Sequence, residues 1–153
     1  MIAHLFGSLS FAGVCILFGA CIYEATVMAP NYETNIPESL RHIRAFFRVS
    51  TPARFFRVVS PLTVILLIIS TVLTWNARVA WSYGAALALL ILTDAITFAA
   101  HYPRNKIMFI DPLTEDTALL SRAARGWAAW NKVRVMLLAF SAVVMIYGTL
   151  FFS

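Results

Sequence analysis

Acidic charge is scarce in this chain, with seven Asp and Glu among 153 residues against twelve Lys and Arg. Charged residues of both signs make up only 12%, about half the share of a soluble domain, and mean hydropathy is +0.80. Too little polar surface remains to cover a water-soluble globule. Cysteine is nearly absent: Cys15 and Cys21 stand six positions apart, on different faces of any helix. That spacing excludes a CxxC redox or zinc motif and leaves two small, buried core residues. No ExxH or HxxxH spacing occurs, so no metal and no cofactor is expected. Period-two alternation is missing, which excludes a barrel wall. No internal repeat or low-complexity tract appears, which speaks against the inverted halves of common transporters. No basic segment precedes the first apolar run, and that run is too long for a signal-peptide core, so a retained span is expected.

What is present is apolar length. Four runs, about 2–28, 56–75, 79–101 and 133–152, each reach the roughly 20 residues that cross a hydrocarbon core. Inside lipid the backbone must satisfy its own hydrogen bonds, so these runs are helices. The expected fold is an all-α integral membrane protein: one domain, 1–153, forming a four-transmembrane-helix bundle. The net charge of +5 is placed for topology rather than for nucleic acid. Arg41, Arg44, Arg48, Arg54 and Arg57 occupy the first loop. Arg104, Lys106, Arg122, Arg125, Lys132 and Arg134 occupy the third, leaving Arg78 alone in the second. The first and third loops share a side, and the positive-inside bias makes it cytoplasmic, with both termini outside. A bacterial inner membrane suits such compact loops.

The first loop has its own pattern. Asn35 reads as an N-cap, Pro37 as a first-turn residue and Glu38 as its acid. Leu40, Ile43 and Phe47 then recur at helical spacing opposite Arg41, Arg44 and Arg48. This predicts a cytoplasmic amphipathic helix at the headgroups, its arginines facing anionic lipid, with His42 solvated. Thr51-Pro52 starts the next helix, and Pro61 is expected to kink it. In the third loop Asp111-Pro112 breaks the chain. Thr114 is expected to cap a helix that runs into the fourth span, with Gly126 as its weak point. His4 is expected at the outer interface.

Glu24 and Asp94 are the only acids inside the expected spans. An ionised carboxylate at the bilayer centre costs several kcal/mol, so each must find a partner or be protonated. Asp94, Thr97, His101 and Asn105 step by three, four and four along one stripe of the third helix. Ser10, Gly13, Leu17, Ala20 and Glu24 form a second stripe, small enough for close packing. Trp127, Asn131 and Arg134 share a face of the fourth helix. Three helices thus bring polar groups to one end of the bundle, predicting a pocket open to the cytoplasmic leaflet. Two readings compete at each position. Glu24–Arg134 or Asp94–Arg134 is either site chemistry or a buried pair fixing helix register. His101 is either part of the site or an interfacial histidine, and Trp127 and Trp130 are either pocket walls or an aromatic belt.

Tyr23-Glu24 with Ala29-Pro30-Asn31, Pro103-Arg104-Asn105-Lys106 and Trp127-x-x-Trp130-Asn131-Lys132-Val133-Arg134 together resemble a known family. It is the small four-span membrane family that includes the fungal anthrone oxygenases. Pro37-Glu-Ser-Leu40 and Ser60-Pro61 are similar to its bacterial branch, and the resemblance spans nearly the whole chain. It implies oxidation of a tricyclic anthrone to an anthraquinone by molecular oxygen, without a cofactor. Such chemistry needs a base, a donor for the developing oxyanion and an apolar slot. Asp94, or else Glu24, is the candidate base. Arg134, Asn131 and Asn105 are candidate oxyanion donors, with His101 in the same catalytic cluster. Trp127, Trp130 and Tyr23 are candidates to stack on a flat ring. One departure matters: where the fungal enzymes often carry a histidine, this chain has Asn131, and an amide takes no proton at neutral pH.

Two non-enzymatic functions compete with this oxidoreductase. One is a small transporter or export component using Glu24 and Asp94 as a proton relay, which with four spans requires oligomerisation. The other is an assembly or lipid-organising protein that uses the Arg-rich helix and small-residue faces. The expected partners are membrane lipids, an apolar small molecule and a second copy of the chain.

Overall fold

The computed structural model describes residues 1–110 and 116–152. Among these the chain is helical, with no strand. Four helices are long and apolar enough to cross a membrane: α1 (Ile2–Glu33), α3 (Pro52–Leu73), α4 (Ala80–Ile110) and α5 (Thr117–Phe152). A short helix, α2 (Glu38–Phe46), connects the first two. The long helices pack in a ring, α1 on α3, α3 on α4, α4 on α5 and α5 back on α1.

Two of these helices outrun the expected spans, and proline explains how. The first span, expected to end near 28, continues to Glu33, and the third, expected to end at His101, continues to Ile110. Pro30 and Pro103 cannot donate to the helical ladder, and each would ordinarily break it. In both cases a π-helical turn precedes the proline, over Glu24–Met28 and Thr97–His101. The residue just before the proline then bonds five positions back, Ala29 N–H to the Glu24 carbonyl and Tyr102 N–H to the Thr97 carbonyl. The residue just after it turns its side chain onto the carbonyl four positions back. Asn31 Nδ2 donates to Val27 O at 2.6 Å, and Arg104 donates to Ala100 O at 2.7 Å. A third π turn, Lys106–Ile110, ends α4.

Other local expectations change. Asn35 does not cap α2 with its side chain: Pro37 stands at the cap, while Asn35 takes φ 54° and its carbonyl accepts from Ser39 N–H. Asparagine tolerates this left-handed backbone better than most residues. Pro61, expected as a kink rather than an end, lies inside the continuous helix α3. Asp111, Pro112, Thr114 and Glu115 lie outside the described residues. The visible cap of α5 is Asp116, whose carboxylate accepts from the N–H groups of Ala118 and Leu119.

Helix α5 also passes through Gly126 without a break. A Cβ there would lie 2.6 Å from Arg104 Nε, so the glycine is where the guanidinium crosses the helix. Gly13 plays the same part between α1 and α3, where a Cβ would press on Thr63. Two apolar clusters fill the bundle. One is central, around Leu17, Leu67, Leu90 and Leu138. The other lies at the loop end, around Tyr32, Leu40, Met108, Leu120 and Trp127.

Candidate functional site

A cavity of about 580 Å³ opens at the loop end of the bundle, within the roughly 300–1,000 Å³ of small-molecule sites. All five helices contribute to its wall. From α4 come Asp94, Thr97, His101 and Asn105, the complete stripe expected from spacing. From α1 comes Glu24, and from α5 come Trp127 and Arg134. The π turns carry two of these residues, because Glu24 opens the first and His101 closes the second. Single π turns inside α-helices recur at functional sites, where they re-aim side chains.

The two carboxylates have different settings. Glu24 is buried and pairs with Arg134, Oε2 to guanidinium at 3.7 Å, both side chains under a tenth exposed. Arg134 also donates to Asn131 Oδ1 at 3.3 Å, and its guanidinium lies 4.9 Å from the centre of the Phe56 ring. Asn131, fully buried, donates through Nδ2 to the Cys21 carbonyl at 3.1 Å. One amide thus ties α5 to α1 and steers Arg134 toward Glu24. Asp94 is half-buried, and both its oxygens lie 2.8 Å from the Ser60 hydroxyl, which donates to it from α3.

Around these groups several polar atoms are buried without a hydrogen-bond partner among the described residues. They are both ring nitrogens of His101, Trp127 Nε1, Asn105 Oδ1, Arg134 Nε and Glu24 Oε2. Buried polar atoms without partners are uncommon, and a cluster of them around one cavity calls for water or another polar group within it. The His101 ring stands edge-on to Trp127, centroids 5.0 Å apart. Tyr32 meets Trp127 and Phe109 the same way, each at 5.3 Å. Among the described residues no three His, Cys, Asp or Glu side chains are grouped to hold a metal ion.

Not every expected site residue reaches the cavity. Tyr23 and Trp130 are exposed, at 55% and 40%, and neither lines it. Tyr23 precedes a buried Glu24, and neighbours on a helix point about 100° apart. Asn131 sits behind the wall, committed to the Cys21 carbonyl. Trp127, by contrast, is 4% exposed and is a wall residue rather than part of a surface belt. His101, at 1%, is buried in the cavity wall. His4 and His42 are exposed.

Arg44 departs from the expected outward face. It is half-buried, and its Nε donates to the Met108 carbonyl at 2.6 Å. Lining residues that were not among the expected site residues include Ser60, Tyr32, Phe56, Phe98 and Phe109. A second cavity, of about 320 Å³, lies at the opposite end near His4, Tyr83 and Met145, and no expected site residue borders it. No family model, curated protein or solved structure matches this chain.

Proposed function

We propose that the chain is a membrane-embedded oxidoreductase that oxidises a flat, apolar aromatic of the anthrone class with molecular oxygen. Four apolar helices support membrane insertion. The arginine-rich first and third loops support a cavity mouth on the cytoplasmic side with both termini outside, and a bacterial inner membrane suits loops this compact. Helix α2 and the turn that follows it lie at the headgroups in this reading, with exposed Arg41 and Arg48 toward anionic lipid.

The observation that carries the reading is Asp94, a carboxylate on the wall of an aromatic-lined cavity, held by one serine hydroxyl. Asp94 takes a proton from the ring methylene and leaves an electron-rich enolate. The Nε–H of Arg134 and the indole N–H of Trp127, both without hydrogen-bond partners among the described residues, are donors for its oxygen. The enolate gives one electron to dioxygen, and the radical and superoxide combine to form a carbon–oxygen bond. The peroxide anion takes back the first proton. Asp94 then removes the second methylene hydrogen as the O–O bond breaks, giving the ketone and hydroxide, which takes that proton and leaves as water. One dioxygen is consumed for each methylene converted to carbonyl.

Oxygen uptake by purified protein with an anthrone tests this. The expected result is turnover in wild type and its loss in Asp94→Asn with folding intact. Equal turnover in both would sink the proposal. Proton flux in liposomes, lost in Asp94→Asn, with no oxygen uptake would instead favour the transporter reading.

A further inference from the structure

The formal charges on the cavity wall do not balance. Arg44, Arg57 and Arg134 face Glu24 and Asp94, and the imbalance is unevenly placed. Deep in the cavity Arg134 and Glu24 neutralise each other, while Asp94 is held by Ser60. Toward the mouth stand Arg57, which is exposed, and Arg44, which is half-buried. Arg44 spends its hydrogen bonds on the carbonyls of Met108 and Ile107 and has no acidic partner among the described residues. Arg57 makes no ion pair or hydrogen bond among the described residues. Glu38, the acid of α2, is taken by Arg41 at 3.5 Å. The cavity is therefore aromatic along its length, acidic at its base and cationic at its entrance.

We infer that the ligand is an aromatic carrying an anionic substituent, a carboxylate or ionised phenol, which seats on Arg57 beside Arg44. The inference rests on the proposed reading of this cavity as a site for a flat aromatic, and it adds the substrate class. Arg57 precedes Ser60 by three residues, about 4.5 Å along the helix. An anion held there leaves the ring against Phe56 and the reacting carbon near Asp94. Arginine suits such a seat because its planar fork matches a carboxylate.

Direct binding tests the seat separately from turnover. Anthracene-2-carboxylate and the neutral anthracene-2-carboxamide are titrated against the protein in phosphatidylcholine nanodiscs, each referenced to its uptake by empty discs. Quenching of Trp127 fluorescence, with Trp127→Phe as the control, reports binding in the cavity. The acid is expected to bind about fivefold tighter than the amide, the range of a partly exposed ion pair. Arg57→Gln brings that ratio to about one with amide binding unchanged, and Arg57→Lys keeps most of it. Equal binding of acid and amide to wild type overturns the inference while the aromatic cavity stands. So does a preference that survives Arg57→Gln. Failure of both probes to bind overturns the cavity reading, and the inference with it.

Discussion

Removing Arg134 should destabilise the bundle far more than removing Glu24, although the two form one ion pair. At 3.7 Å and an effective dielectric of about 20, their attraction is about 4.5 kcal/mol. The cost of desolvating two ions offsets most of it, so the intact pair contributes little net stability. What differs is the group left behind. Arg134→Met strands a buried carboxylate whose Oε2 accepts no hydrogen bond, and orphaning a buried charge costs about 3–5 kcal/mol. Glu24→Gln leaves a guanidinium that still donates to Asn131 and faces the Phe56 ring, for a loss of about 1–2 kcal/mol. The double variant should be more stable than the sum predicts, with a coupling energy of about 1–3 kcal/mol. Unfolding in mixed micelles titrated with sodium dodecyl sulfate, followed by circular dichroism, measures all four proteins. Additive losses, or two single variants within about 0.5 kcal/mol of wild type, would show that these side chains do not meet as described.

Arg44→Met removes a charged donor from the Met108 and Ile107 carbonyls, so α2 should loosen by about 1.5–3 kcal/mol. Hydrogen exchange over residues 38–46 should rise while the central bundle stays protected, and unchanged protection there would count against the latch. Gly126→Ala should displace the Arg104 guanidinium and loosen its bond to the Ala100 carbonyl, a loss of about 1–2 kcal/mol that Arg104→Ala in the same chain should largely relieve. Gly13→Ala should cost about 1–3 kcal/mol by pressing on Thr63. Gly19→Ala, with nothing within 4 Å of its Cβ, should stay within about 0.5 kcal/mol of wild type. Equal effects at the two glycines in the same unfolding titration would refute the close approach of α1 and α3.

How far the site is legible in the sequence follows from where a straight helix is a good approximation. The Asp94–Thr97–His101–Asn105 stripe was readable because four residues at helical spacing share a face whatever packs against them, and all four line one cavity. Ser60, although part of a motif in the resemblance, was not readable as a site residue. A serine beside a proline in an apolar run carries no signal until the facing helix supplies Asp94 at 2.8 Å. Tyr32 and Phe109 were lost for another reason, since the expected spans stopped near 28 and 101, short of both residues. The π turns carry both helices past their prolines, and these extensions build the cavity's outer wall. They also account for Arg44: a helix judged against lipid alone turns its arginines outward, but the end of α4 offers it two carbonyls. Asn131 shows the limit from the opposite direction. Its polarity marked it as a contact for substrate, yet the side chain is fully buried and donates to Cys21, three residues before the Glu24 π turn. Its work is then to hold the distorted part of α1 against α5, so that Glu24 and Arg134 meet while Asp94 stays open to the cavity.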